Sequence, residues 1–164
     1  MKHFKWYDKQ DVLYLTKLRR FETKLGERLH CIMDKNQPEQ SLLQSDAKYV
    51  LFGIPEDIGV KANQGTGGTD SLWIPFLISF LNIQSNDFIT GDDILLLGHF
   101  DFGDVKFLIE QHAHDYEEKV DAYRHAVTMI DEEVERIVKM ITEAGKIPIV
   151  IGGGHNNAYP LIKG

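Results

Sequence analysis

Lys146-Ile-Pro-Ile-Val-Ile-Gly-Gly-Gly-His155 is the stretch that decides the fold class. Its short apolar run, ended abruptly by glycines, is typical of a strand that is buried on both faces of a sheet. Similar apolar runs occur at Tyr49–Ile54 and Ile94–Gly98, and helical patterns lie between them at Ser71–Ile83 and Lys119–Ala144. Buried strands that alternate with helices predict an α/β protein with a three-layer α/β/α arrangement around a parallel sheet.

Residues 1–47 carry a different pattern. Leucine and phenylalanine recur at roughly helical spacing from Asp8 to His30, with lysine and arginine between them, which predicts one amphipathic helix. The polar segment Asn36–Ser45 contains a proline and is interpreted as a loop or linker. The sequence therefore predicts a helical amino-terminal extension over residues 1–47, followed by an α/β domain over residues 48–164.

Composition excludes several classes of protein. The formal net charge is −7, with 25 acidic against 18 basic residues, which argues against a broad surface for nucleic acid or anionic membrane. The single cysteine, Cys31, excludes an internal disulfide framework and a cysteine-rich zinc site, and a buried structural thiol is favoured over a nucleophile. Met1–Gln10 lacks the apolar core of a signal peptide, so we expect a cytoplasmic protein.

The unusual polar residues follow the predicted strands. Asp57 and Asn63 come after the first strand, Asp101 and Asp104 after the second, and His155 after the third. Parallel sheets bind their ligands beyond the carboxyl ends of the strands. Three glycines directly before His155 let the backbone approach a ligand closely, and a neutral imidazole there can bind a divalent metal. The alternative is a histidine that caps a tight turn, since one histidine does not make a metal site.

Other candidates carry weaker signals. His99 and Asp101 form an H-x-D pair, but the carboxylates of Asp101 and Asp104 are better explained as acceptors of backbone N–H bonds in a turn. Gln111–Asp115 contains two histidines in a polar stretch and is interpreted as a solvated loop. Neither glycine-rich stretch, Gly65–Gly68 included, matches a dinucleotide or phosphate fingerprint. No nucleophile elbow is present.

Three segments, in this order along the chain, resemble the ureohydrolase family, which includes arginase, agmatinase and formimidoylglutamase. Gly53–Asp57 with Asn63–Thr69 is similar to the family's G-x-P-x-D strand end and its N-x-G-x-x-G-A loop. Asp101–Val105 is similar to its D-x-G-D-V segment, and Ile149–His155 to the strand and G-G-D-H turn that supplies the first metal ligand. The resemblance covers about residues 48–164 and implies an arginase-like fold.

The resemblance also implies a chemistry. His155 would be one ligand in a site that holds two manganese ions. A hydroxide that bridges the two ions would attack an imino or guanidino carbon. The residues expected to line this site are Asp57, Asn63, Gly153, Gly154 and Asn156. The family's remaining ligands come from a later D-x-H-x-D segment and a D-x-D segment, and residues 156–164 contain neither. We therefore expect this chain to be the amino-terminal portion of a larger enzyme and to be inactive when isolated.

Two departures bear on the substrate. Gly154 stands where arginases and agmatinases usually carry aspartate, and Asn156 replaces the usual serine. Both favour the formimidoylglutamase branch, which converts N-formimino-L-glutamate to glutamate and formamide in histidine degradation. The alternatives are an agmatinase or another guanidino hydrolase of the family, or a non-catalytic module for binding or assembly. An incomplete sheet leaves an apolar edge, so we also expect a homo-oligomer. The resemblance implies a small-molecule substrate.

Overall fold

The structure is a computed structural model that describes residues 1–164. Its five strands are β1 (Phe4–Trp6), β2 (His30–Cys31), β3 (Tyr49–Gly53), β4 (Ile94–Phe100) and β5 (Ile147–Ile151). Its α-helices are α1 (Lys9–Leu15), α2 (Leu25–Arg28), α3 (Pro38–Gln44), α4 (Ile58–Ala62), α5 (Trp73–Leu81), α6 (Gly103–His112), α7 (Tyr116–Glu143) and α8 (Ala158–Lys163). The predicted strands and the two long helical segments of the α/β region are confirmed, with ends that shift by a few residues.

All five strands belong to one sheet. Strands β3, β4 and β5 run parallel in the order β4-β3-β5, and Tyr49 pairs with Ile94 on one side and Ile147 on the other. Short strands β1 and β2 both pair with the free side of β4, β1 antiparallel and β2 parallel. Strand β5 forms the opposite edge. The mostly parallel sheet confirms the predicted fold class.

Helices cover both faces of the sheet. Side chains alternate along β3, so that Val50 and Phe52 join one buried cluster while Leu51 joins another. The first cluster contains the apolar face of α7, and the second contains α1 together with α5, whose Trp73 is fully buried. Two apolar faces on each central strand explain why these strands have almost no polar residues. The three-layer arrangement is therefore as predicted.

Helix α7 is the longest element and forms most of one layer. Asp115 caps it, because its carboxylate accepts a hydrogen bond from the backbone N–H of Glu118 at 2.9 Å. Ile130, Val134 and Ile137 lie on its buried face, as the helical spacing predicts. No helix of the structure, α7 included, is both long enough and apolar enough to cross a membrane.

The prediction of one helix from Asp8 to His30 is wrong. Helix α1 ends at Leu15, and Phe21 lies in an exposed turn with φ +66° before α2 begins. The reversal lets the Lys9 ammonium donate to the carbonyl oxygens of Gly26, Glu27 and Leu29 at 2.9–3.2 Å. It also brings the side chains on both sides of the turn into one buried cluster, which a straight helix cannot do. The leucine spacing alone did not reveal this turn.

The interpretation of Asn36–Ser45 as a loop is also wrong. Residues 38–44 form α3, with Pro38 in its first turn, where a proline has no N–H to leave unpaired. Leu42 of this helix is fully buried, and the Ser41 hydroxyl accepts the backbone N–H of Met33 at 3.2 Å. The proline therefore starts a helix rather than marking a linker.

The segment before residue 48 is not only helical. Strands β1 and β2 both belong to it, and they add residues to the edge of β4. Phe4, in β1, is buried against Phe52 and Phe100 of the central strands. The segment thus shares the main hydrophobic core, and the predicted domain boundary at residue 47 stays a prediction.

Candidate functional site

The carboxyl ends of β3, β4 and β5 lie at the same edge of the sheet because these strands are parallel. The turn after β3 carries Glu56 and Asp57, the turn after β4 carries Asp101, and the turn after β5 carries His155. Sequence reasoning placed most of these residues at this edge. In the structure, some of these side chains lie at the turn after β5 and the others lie beside a cleft between the ends of β3 and β4.

The turn after β5 is held close to the turn after β3. Gly153 has φ +89°, a conformation that side chains rarely adopt, and a Cβ there would lie 2.7 Å from the carbonyl oxygen of Ile54. His155 then opens a short 3-10 turn that ends at Asn157 and leads into α8. The backbone of this turn is enclosed, but the His155 side chain is exposed. It is available to a ligand and makes no hydrogen bond within the chain.

A buried carboxylate lies beneath this turn. Glu56 is 2% exposed, and its Oε1 accepts hydrogen bonds from the backbone N–H of Gly154 at 2.9 Å and from Asn157 Nδ2 at 2.6 Å. Its Oε2 accepts the backbone N–H of Gly59 in α4 at 3.0 Å. Sequence reasoning missed Glu56, although an acidic residue in the turn after a buried strand is a usable signal.

Asp57 is equally buried but points elsewhere. Its Oδ1 lies 2.9 Å from the Lys106 ammonium, and its Oδ2 accepts the backbone N–H of Gly68 at 3.2 Å. The same ammonium lies 2.5 Å from a carboxylate oxygen of Asp70. Burial opposes the charged ammonium, but the hydrogen bonds to Asp70 and Asp57 outweigh it and raise the pKa of Lys106. Asp57 is therefore part of an ion-paired group and does not contact the His155 turn.

A cleft of about 380 Å³ opens beside this group, between the ends of β3 and β4. His99 lines it, stacked on Trp73 with ring centroids 5.9 Å apart and edge-on to Tyr7 at 5.4 Å. Burial lowers the pKa of His99, although Asp101 acts in the opposite direction. The lowered pKa favours the uncharged imidazole. The volume suits a small molecule, but His155 is not among the lining residues.

The remaining predicted lining residues are separated. Asn63 is exposed at the end of α4, where its backbone N–H donates to the carbonyl of Val60 at 3.2 Å. Asn156 lies against Gly59 and Gly154, and both atoms of its side-chain amide are buried without a partner. A Cβ on Gly154 would lie 2.3 Å from Asn156 Oδ1 and 3.2 Å from Glu56 Oε1. Of the predicted set, Gly153, Gly154 and Asn156 thus surround the His155 turn, and Asn63 does not.

The second strand end behaves as a turn. Asp101 Oδ1 accepts the N–H of Gly103 at 3.1 Å, and Asp104 Oδ1 accepts that of Val105 at 2.8 Å, as predicted for these carboxylates. The interpretation of Gln111–Asp115 as a loop is wrong for Gln111 and His112, which end α6; the remaining residues link α6 to α7, and both histidines of the segment are exposed. Neither the turn after β4 nor the segment Gln111–Asp115 brings together side chains that could bind a metal.

The resemblance implies manganese, but the side chains of residues 1–164 do not fit a site for it. No group of three or more His, Cys, Asp or Glu side chains lies close enough together to hold a metal ion. His155 is the single exposed candidate on its turn. Burial raises the pKa of the Cys31 thiol to about 11, which disfavours the reactive thiolate at neutral pH.

Of the comparisons with known proteins, a family model supports the fold. A family model described as the Arginase family matches residues 47–164. A curated protein, tRNA dimethylallyltransferase of Carboxydothermus hydrogenoformans, is 33% identical over 75 residues, which cover 42% of this chain and 24% of that protein. The chain therefore spans about a quarter of the length of this curated relative. No solved structure gives a significant match.

Proposed function

Because this chain belongs to the arginase family, we propose that it serves the metal-dependent hydrolysis of a C–N bond in a linear amidine or imine. The proposed substrate is N-formimino-L-glutamate, which water converts to L-glutamate and formamide. The observation that carries the proposal is the family match over residues 47–164, together with a glycine turn that presents His155 at the carboxyl end of β5. A cytoplasmic location and a homo-oligomeric state belong to the same proposal.

The choice of substrate rests on the His155 turn. Gly154 takes the place of the aspartate that is usual in arginases and agmatinases, and in this structure a side chain there would approach both Asn156 and the Glu56 carboxylate. Here the turn combines a glycine at position 154 with the Glu56 carboxylate from the turn after β3, whereas an arginase-type turn carries an aspartate of its own. This difference supports formiminoglutamate over arginine or agmatine. Agmatine and other guanidino compounds are the alternative within the family.

The proposed metal is manganese, with two ions expected in the complete enzyme. His155 is the proposed ligand from this part of the protein. A single neutral histidine gives weak and unselective metal affinity. Since residues 1–164 offer no grouped set of further ligands, we expect this chain alone to show no hydrolase activity.

The test compares the protein from its native cells with the 164-residue chain. Both are assayed with Mn²⁺ for formamide release from formiminoglutamate and for urea release from agmatine and arginine. We expect formamide from the native protein, lost in His155→Ala and kept in the matched control His112→Ala, whose exposed histidine ends α6. Urea release would assign the guanidino alternative instead. Formamide release by the 164-residue chain, lost in His155→Ala, would contradict its predicted inactivity.

The second candidate is a non-catalytic binding or assembly module. It is favoured by the absence of a group of metal-binding side chains and by exposed apolar side chains: Ile147 and Ile149 of β5, and Ile74 and Ile78 of α5. The acidic outer face of α7 would be a further surface of such a module. A native protein that binds no Mn²⁺ and hydrolyses none of the three compounds would favour this candidate.

A further inference from the structure

One buried carboxylate joins the two turns at the functional edge of the sheet. Glu56, in the turn after β3, accepts hydrogen bonds from Gly154 and Asn157 in the turn after β5, and from Gly59 at the start of α4. Gly154 and Asn157 lie directly before and directly after the pair His155-Asn156. Glu56 therefore binds both ends of the segment that carries His155.

The His155 side chain has no other anchor. It is exposed and makes no hydrogen bond within the chain, so its direction depends on the backbone of its turn. That backbone has little freedom, since Asn157 Nδ2 also donates to the carbonyl of Gly154 at 3.1 Å. A Cβ at Gly153 would lie only 2.6 Å from the same Nδ2 atom. The Glu56 carboxylate is the acceptor at the centre of this arrangement.

A buried carboxylate is costly unless hydrogen bonds replace its lost water. Glu56 makes no ion pair within 4 Å and relies on the two backbone N–H groups and the amide of Asn157. The arrangement works in both directions, because buried N–H groups also need an acceptor. Only a carboxylate accepts on both oxygens at once, so it satisfies the donors of both turns.

We propose that Glu56 is a positioning residue: its buried carboxylate fixes the turn after β5 against the turn after β3 and thereby orients His155. What His155 binds rests on the proposed function above. The mechanical role of Glu56 is separate from that function, and it is tested without metal or substrate.

The experiment uses the 164-residue chain with Glu56→Gln. A glutamine has one accepting oxygen and one donating NH₂, so it can serve only one of the two turns. We expect amide hydrogen exchange at Gly154 or at Gly59 to become at least about tenfold faster, because a hydrogen bond to a charged group is lost. We also expect the NMR signals of the His155 ring to shift or broaden, while the amides of β4 keep their protection.

The matched control is Asp57→Asn. Asp57 is the next residue, is 3% exposed, and binds Gly68 and Lys106 instead of the His155 turn. Its substitution should speed exchange near Gly68 and leave Gly154 and the His155 ring unchanged. Equal loosening of the His155 turn in both variants would show a general loss of stability and would overturn the proposal.

Unchanged exchange at both Gly154 and Gly59 in Glu56→Gln would also overturn it. If that variant does not fold, Glu56→Asp keeps the charge on a shorter side chain that reaches only one turn, and the same local loosening is expected. A protein that shows this loosening but releases no formamide would leave the positioning role intact and count against the proposed function alone.

Discussion

At the scale of single residues, the adjacent carboxylates of Glu56 and Asp57 bind different partners. Asp57 holds the Lys106 ammonium beside the cleft, whereas Glu56 holds the backbone of the His155 turn. The sequence could place Asp57 and His155 at one edge of the sheet, because strand ends are readable from apolar runs. It could not separate their surroundings, since the direction of each side chain depends on a turn whose geometry is set by distant contacts.

Exchanging the carboxylate between positions 56 and 154 tests how the turn is built. Gly154→Asp alone should destabilise the fold by about 1–3 kcal/mol, because it brings a second carboxylate next to buried Glu56. Glu56→Ala alone should also destabilise it, because buried donors lose their acceptor. In the double variant the aspartate caps the 3-10 turn from the position before His155 and replaces the missing acceptor.

Urea unfolding of all four proteins gives the coupling between the two positions. We expect the double variant to be more stable than the sum of the single effects predicts, by about 1 kcal/mol or more. Strict additivity would mean that a carboxylate at position 154 cannot take over the contacts of Glu56.

Asp131 of α7 should show a pH-dependent cost. Burial, and then the nearby Glu56 carboxylate, raise the pKa of Asp131 above its ordinary value, and its Oδ1 is buried without a partner. A raised carboxyl pKa favours the protonated folded state, so this residue's contribution to stability falls as the pH rises through that pKa and stays low above it. Asp131→Asn should therefore raise the urea midpoint at pH 7. The gain should shrink as the pH is lowered toward the ordinary range of aspartate, and a gain independent of pH would point to a cause other than charge.

At the scale of elements, periodicity predicted long helices and buried strands well and failed where the chain turns back. Helix α7 and the central strands bury a regular pattern, which is readable from sequence alone. The turn between α1 and α2 depends on three carbonyl oxygens that converge on the Lys9 ammonium. Such a contact between residues far along the chain leaves no periodic signal.

Phe21→Gly tests whether this region is one continuous helix or two helices joined by a turn. Phe21 is 90% exposed with φ +66°, which glycine adopts without strain. We expect the substitution to leave the free energy of unfolding unchanged or to raise it by up to about 1 kcal/mol. Within one continuous helix the same change would lower it by about 1 kcal/mol relative to a good helix former. Chemical denaturation measures the sign, and Phe21→Ala is the control for loss of the ring.

At the scale of the whole molecule, one edge of the sheet is protected and the other is open. Strands β1 and β2 cover the free side of β4, whereas β5 has no neighbour on its outer side. The sequence indicated an uncovered apolar edge but not the strands that protect the opposite one, because three and two residues are too short to carry an alternating pattern.

We expect the open edge to make the 164-residue chain self-associate. Ile147 and Ile149 are 46% and 37% exposed on β5, and unpaired strand edges favour pairing with another chain. Ile149→Lys should lower the average mass in sedimentation experiments at high protein concentration, since an edge lysine opposes pairing. Ile162→Lys, at an exposed position of α8, is the control and should change nothing. A concentration-independent monomer for the unmodified chain would contradict this expectation.

The pairing of β1 with β4 also has a consequence for the order of events during synthesis. Phe4 of β1 lies opposite Phe100 of β4, so β1 cannot join the sheet until nearly a hundred further residues have been translated. During that interval its aromatic side chains have no partner and are open to chaperones. Strand β1 is thus made long before the strand with which it pairs.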